Sequence, residues 1–514
     1  MSTQTPAPFV SVSTSLSAVE QVSWIAALRP ATRRSVVLAC LLSSILPLIV
    51  VAHYPLVDYP NHLGRFQIYQ SLHTSPALQT FWQWNWAIIP NLALDLLVIP
   101  FTWFMPVEPA TNLVTLLALA LLCIGTILLD RQLHGTRWGL SLFAGILLYN
   151  GAFRMGFINF IAAVAFALVA FAAWTRWRER VVGPGFLGFV VTAVMLLVFH
   201  LYAFGLYAVA VAGYEVTVLW ETWHEDQPGI VRALRVAACG AASLILPLAL
   251  LLFSPTSSDA GVLRWSTPLW KLEALLSPVY FNMPLVELPL ALLLGALLLA
   301  GLVTGGVRIH QRMVVMLGLM ALLFLVLPRT LFGSNYADYR LLSGVGFFFL
   351  ASLELEMPAS PRRRVVLLVL CTCLAVRVGS ILANWLPAQP ILAEYDHALA
   401  ASPSGARILV LQGSLGSTSA DRSPPLEHVP VFAAAKQQDF VPYTFHAAAV
   451  PLHLQSAYAS YAGAFAPYPE NARDMALYDY VLVLRNPQFV IPLGFVLTPV
   501  TQGRSFMLYK IEKF

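Results

Sequence analysis

From Val36 to Ala383 one apolar run follows another, each near the ~20 residues that carry a helix across a bilayer. In hydrocarbon every backbone N–H and C=O must find its partner inside the protein. The runs are rich in Leu, Ala and Phe and do not alternate with period two. They therefore predict a helical bundle and not a barrel. Charged residues make up 11% of the 514, against roughly 25% in soluble domains, so most of the chain has no need of water.

About eleven spans are expected, near 35–53, 111–129, 138–150, 155–175, 186–204, 205–220, 236–253, 289–304, 313–328, 341–357 and 365–384. Arg29/Arg33/Arg34, Arg131/Arg137, Arg176/Arg178/Arg180, Arg232/Arg235, Arg308/Arg312 and Arg362/Arg363/Arg364 then fall on one side, which the positive-inside rule makes the cytoplasm. The net charge of +5 sits in these clusters and gives no reason to expect nucleic acid. This division predicts a cytoplasmic tail at 1–34, a transmembrane module at 35–384 with a first outer loop at 54–110, and an extracytoplasmic domain at 385–514. The first run is read as a signal anchor. Residues 86–105 are apolar enough to cross, but Pro90, Asn91, Asp95 and Pro100 interrupt them, so the segment is expected to lie on or re-enter the outer face.

The five cysteines all lie in apolar runs and form neither a disulfide framework nor a zinc pattern. After about Ala401 the chain turns polar, with strand-like runs at Arg407–Gln412, Tyr480–Arg485 and Ser505–Ile511. A small α/β domain follows from them. The expected whole is an all-α polytopic bundle carrying a C-terminal α/β domain. Walker, dinucleotide-binding and HExxH motifs are missing from the sequence, and Gly413–Ser417 does not match a serine-hydrolase elbow.

The most informative stretch follows the first span. Asp58, His62, Arg65 and Tyr69 are spaced i, i+4, i+7, i+11 and make one polar stripe if helical. An aspartate there can accept a proton from a hydroxyl or ligate a divalent cation. His62 and Arg65 can neutralise a phosphate. The plainer alternative makes Asp58 a helix cap and the rest a solvated face. Asp338 and Arg340 enter a span from another outer loop, where a cation needs either a phosphate or a paired carboxylate. His200 sits at the outer end of a span, where it is either functional or bonded to a backbone carbonyl. Asn150, Arg154 and Asn159 make a further polar break, with Gly151 and Gly156 suggesting close packing. Trp82, Trp84, Trp86, Trp265, Trp270 and Tyr280 read as an interfacial belt, and Arg264 and Lys271 as surface charges.

This layout resembles the GT-C superfamily of polytopic glycosyltransferases. The matching residues are Asp58 in VDYPNHLGRF, Asp338 and Arg340 in YADYRLL, and the closing pattern YDYVLVLRNP…GRSFMLYKI. The resemblance implies an integral protein of a bacterial cytoplasmic (inner) membrane. It implies a polyprenyl-phosphate sugar donor and a lipid or glycan acceptor, met among membrane lipids on the outer face. Asp58 would be the catalytic base, with His62, Arg65, His200, Asp338 and Arg340 binding substrate. Many members carry paired acids in the first loop, whereas this chain has Asp58 alone, which leaves Mg2+ or Mn2+ at Asp58 an open expectation. The competing readings are a lipid-linked-sugar transporter or flippase and an O-antigen-type polymerase or ligase. A transporter would place charges within the bilayer and carry little extramembrane domain.

Overall fold

The computed structural model describes residues 25, 28–225, 227–255, 263–281, 283–332, 334–357, 360–412, 428–442, 444–446, 450–458, 475–484, 491, 493–503 and 506–513. The 413–417 run and Arg485 lie outside them. Among the described residues seven helices are long and apolar enough to cross a membrane: Pro30–Val50, Val107–His134, Ile158–Val182, Leu201–Glu225, Ile230–Leu252, Pro284–Val303 and Pro361–Tyr395. Several begin where the local chemistry dictates. Pro30, Pro284 and Pro361 stand in first turns, where a missing N–H costs nothing. The Ser360 hydroxyl accepts the Arg363 N–H and caps the last of these helices.

Ile158–Trp177 is the central helix, walled by Val107–His134 and Leu201–Glu225. Gly125 lets the first pair approach closely: a Cβ there would sit 3.0 Å from Leu168 Cβ. Phe186–Phe199, Gln311–Val326 and Ala337–Ser352 are shorter helices at three of the expected spans. The expected span at 138–150 is not one continuous helix. It is a 3-10 turn at Leu140–Ala144 and a single helical turn at Gly145–Leu148, then a break before Gly151–Arg154. Buried Asp130 ties the start of this segment, accepting the N–H groups of Gly139 and Ser141 and the Ser141 hydroxyl.

The basic clusters meet acidic partners at one end of the bundle. Arg137 pairs with Glu354, Arg308 with Glu356, Arg312 with Glu221, and Arg178 with Glu215. A short antiparallel pair, Val307–Ile309 with Leu353–Leu355, straps this end. The first loop and the C-terminal segment occupy the other end. Within that loop Ala93–Thr102 is a helix of 10 residues, about 15 Å at 1.5 Å per residue. It is too short to cross a core of about 30 Å. It enters against the bundle, Leu92 N–H donating to Val198 O at 2.9 Å and Leu201 N–H to Pro90 O at 3.1 Å.

The C-terminal unit is a four-stranded sheet in the order Ile408–Gln412, Tyr480–Leu484, Phe506–Lys513, Phe495–Gln502. The first pair is parallel and the others antiparallel. A second pairing stitches this unit to the first loop: Trp82–Trp84 runs antiparallel to Leu452–Leu454. Trp82 is therefore no belt residue. It is buried at this junction against Phe440 and His446.

Candidate active site

Asp58 stands immediately before the Tyr59–Ser71 helix, with Pro60 in the first turn, and its side chain makes no capping bond. Its backbone is held from both directions. The Asp58 N–H donates to Met155 O at 3.1 Å, and the Asp58 carbonyl accepts the His62 N–H at 3.2 Å. Gly156 makes this contact possible. It has φ +78°, and a Cβ there would come within 2.7 Å of Asp58 N and 3.0 Å of Asp58 Cβ. Gly156→Ala is therefore expected to lower stability by about 1–3 kcal/mol through backbone strain. It should also cut activity by about 10²-fold by displacing Asp58. Thermal unfolding and turnover of the purified variant check both effects.

The stripe is not solvated. His62 is buried, its Nε2–H donating to Gly156 O at 3.1 Å, which leaves Nδ1 to accept from Arg65 Nη2 at 3.5 Å. Arg65, 1% exposed, pairs with fully buried Asp95 at 3.0 Å. These contacts correct the phosphate-binding reading of His62 and Arg65: both groups are turned inward and lock the loop helix to the 93–102 helix. The C-terminal segment closes over the same helix. Phe445 N–H donates to Asn61 Oδ1 at 2.9 Å, and Gly64 lies directly under Val431.

That segment also brings a residue the sequence did not single out. His428 Nε2 lies 3.5 Å from Asp58 Oδ1, with both side chains largely buried. Burial lowers the His428 pKa to about 4, so the ring beside Asp58 is neutral near pH 7. Burial first, and the Arg65 charge second, lower His62 to about 3. Both native values lie below the ordinary 6.5, so the unfolded chain binds protons that the native chain refuses. The stability these neutral rings allow is complete above about pH 6.5 and is lost as pH falls toward 4 and 3. The expected slope is about 1.4 kcal/mol per pH unit for each histidine. Melting temperatures in detergent between pH 7.5 and 5 should fall for the wild type and fall less for His62→Gln/His428→Gln.

Arg340 enters the site from the Ala337–Ser352 helix. Its guanidinium stacks on Phe157, Cζ 3.5 Å from the ring centre, and its charge interacts with Asp58. His200 is buried against Phe160 and Tyr202, close enough to Arg340 for the two to interact. Asp338 goes elsewhere, which corrects both its pairing with Arg340 and its exposure to substrate. Fully buried, it takes Lys271 Nζ at 3.0 Å, the Ser266 hydroxyl at 2.5 Å and the Tyr339 N–H at 2.9 Å. Lys271 is therefore no surface charge, and it also donates to Phe324 O and Leu327 O.

Two further cations face this end. Arg154 lies over Tyr280 at 5.9 Å, and Arg329 stacks on Trp270 at 3.9 Å with Tyr336 at 5.0 Å. Among the described residues no carboxylate lies within ion-pair distance of Arg154, Arg329 or Arg340. Tyr336 holds the left-handed conformation at φ +62°, a strained backbone of the kind that collects at functional sites. An apolar cavity of about 260 Å³ is lined by Leu147, Pro278 and Gly346 and, toward the Val307–Ile309/Leu353–Leu355 strap, by Leu140, Val307 and Leu353.

Among the described residues no three His, Cys, Asp or Glu side chains gather to hold a metal ion. Asp58 offers one carboxylate beside a histidine and an arginine, whereas Mg2+ asks for near-octahedral oxygen ligation. Among the described residues this donor set does not fit a resident Mg2+ or Mn2+.

Fold and site together define an integral membrane protein with a helical bundle and a C-terminal α/β unit. No protein-family model matches the chain, and no curated protein matches it. A solved structure to which it is similar is the cryo-EM structure of arabinofuranosyltransferase AftD from Mycobacteria, with a TM-score of 0.45 and 16% identity. The similarity covers 96% of this chain and 40% of that one, so this chain spans less than half the length of that protein.

Proposed function

We propose that the chain is a membrane glycosyltransferase that moves a sugar from a polyprenyl-phosphate donor to a lipid or glycan acceptor on the outer face of the cytoplasmic membrane. The observation that carries this reading is one carboxylate, Asp58, set near cations that, among the described residues, have no carboxylate within ion-pair distance. Asp58 interacts with Arg340 at the end of the bundle away from the paired basic clusters, with Arg154 and Arg329 at the same end. Three such guanidinium groups suit an anionic ligand, and phosphate takes arginine well. The apolar cavity lined by Leu147, Pro278 and Gly346 offers walls of the kind a hydrocarbon chain takes.

The chemistry is a single displacement. Asp58 takes the proton of the acceptor hydroxyl as its oxygen attacks the anomeric carbon. The bond from that carbon to the phosphate oxygen breaks, and its electron pair leaves with the phosphate. Arg340 stabilises the charge gathering there. His428 lies against Asp58 and shields it from water. One base and no covalent intermediate mean that the anomeric configuration inverts.

The test is reconstitution of the purified protein in liposomes with polyprenyl-phosphate sugars or nucleotide sugars, with and without EDTA. Consumption of the lipid-linked donors alone, unaffected by EDTA, supports the reading. Consumption of the nucleotide sugars, or movement of intact donor across the bilayer without transfer, sinks it.

A further inference from the structure

The bundle carries a charged pair that the proposed chemistry does not use. Arg377 of the Pro361–Trp385 helix and Glu287 of the Pro284–Val303 helix are both almost fully buried, with Nη1 2.8 Å from Oε1. Ionisable groups within membrane helices are costly and rarely idle. Each of these two is also tied to backbone. Arg377 Nη2 donates to Tyr149 O and, at 2.7 Å, to Val279 O. Glu287 accepts the Phe281 N–H at 2.6 Å and the Met283 N–H at 2.9 Å.

The four backbone groups belong to two irregular segments, and those segments carry the Arg154–Tyr280 contact. Tyr149 precedes Asn150, whose side chain caps the turn ending at Arg154. Val279 precedes Tyr280, over which Arg154 lies. The segments also touch directly, Gly151 N–H donating to Ser277 O at 2.9 Å, and Tyr339 packs against Gly151. With no regular helix at either place, the bonds from Arg377 and Glu287 hold them in register.

We infer that the Arg377–Glu287 pair is a positioning device that sets Arg154 and Tyr280 for the anionic group of the ligand. Its role in donor binding rests on the function proposed above. A planar guanidinium serves one carboxylate and two carbonyls at once, whereas an ammonium is a point charge without that fork. The pair is fastened to backbone on both sides.

The test compares wild type with Arg377→Lys, and with Arg377→Met/Glu287→Met, by amide hydrogen exchange in detergent and by donor-dependent kinetics. In Arg377→Lys, peptides covering 149–155 and 277–283 should exchange about tenfold faster while the rest of the bundle keeps its protection. Donor KM should rise about tenfold with a smaller change in kcat, because binding geometry is lost and not the base. The double Met variant should loosen the same two segments further. Unchanged protection and KM in Arg377→Lys would overturn the inference. So would exchange that rises uniformly across the bundle, which marks a merely structural pair. Exchange needs no substrate, so a wild type that transfers no sugar sinks the proposed function and still leaves the tie measurable.

Discussion

Asp58→Asn should reduce sugar transfer by about 10²–10⁴-fold, the range that general-base catalysis supplies, while leaving the protein folded. An amide keeps the shape of the carboxylate and cannot take a proton. The Asp58 side chain makes no helix-capping bond, and its backbone carries contacts to Met155 and His62 that the amide variant keeps. The melting temperature should therefore stay within a few degrees of wild type. Single-turnover transfer and thermal unfolding, measured on the same preparations, check the pair of expectations. Full activity in Asp58→Asn would move the base to another residue.

Arg340→Met should cost about 10²–10³-fold in kcat/KM, the usual loss when one stabilising group is removed from a developing charge. Arg340 has no carboxylate within ion-pair distance among the described residues and rests on the Phe157 ring, so its removal breaks no direct ion pair, although its charge also acts on Asp58. Stability should hold, in contrast to the loss expected on removing Arg65, whose absence would leave Asp95 unpaired in the interior. Arg340→Lys should recover only part of the rate, because an ammonium lacks the fork that grips phosphate oxygens. The measurement is kcat and KM for the lipid-linked donor. A loss that follows the folded fraction, with normal kinetics in the folded remainder, would contradict a role at the leaving group.

The bundle was readable because apolar length is a strong signal and basic residues cluster between the runs. Arg340 stood out because a cation at the outer edge of an apolar run asks for an explanation, and Asp58 because it heads a polar stripe at helical spacing. Partners were not readable. Asp338 lies two residues from Arg340, but its carboxylate meets Lys271, which is 67 positions earlier. The Asp58–His62–Arg65 spacing correctly gave one helix face, and yet the face turned inward, because Asp95 and the C-terminal segment cover it. His428 left no signal, since it stands in a polar stretch and gains meaning only from its approach to Asp58. Glu287 and Arg377 were passed over because each is a lone charge in an apolar run, and the pairing joins two separate helices.

The terminal sheet shows the same limit at the level of secondary structure. Ile408–Gln412 and Tyr480–Leu484 are dense apolar runs and were expected as strands. Phe495–Gln502, which contains Pro499, was not among the expected strands. That strand is an edge of the sheet, and its pairing is irregular at Pro499/Thr501, where a residue without an N–H is tolerated.

The most direct test of the central claim is the anomeric configuration of the first product formed from a polyprenyl-phosphate sugar of known configuration, read by NMR on enriched donor. One carboxylate acting as base predicts inversion, and the inverted product should form about 10²–10⁴-fold more slowly in Asp58→Asn. Retained configuration would require a covalent sugar–enzyme intermediate or a second carboxylate, and would contradict the account.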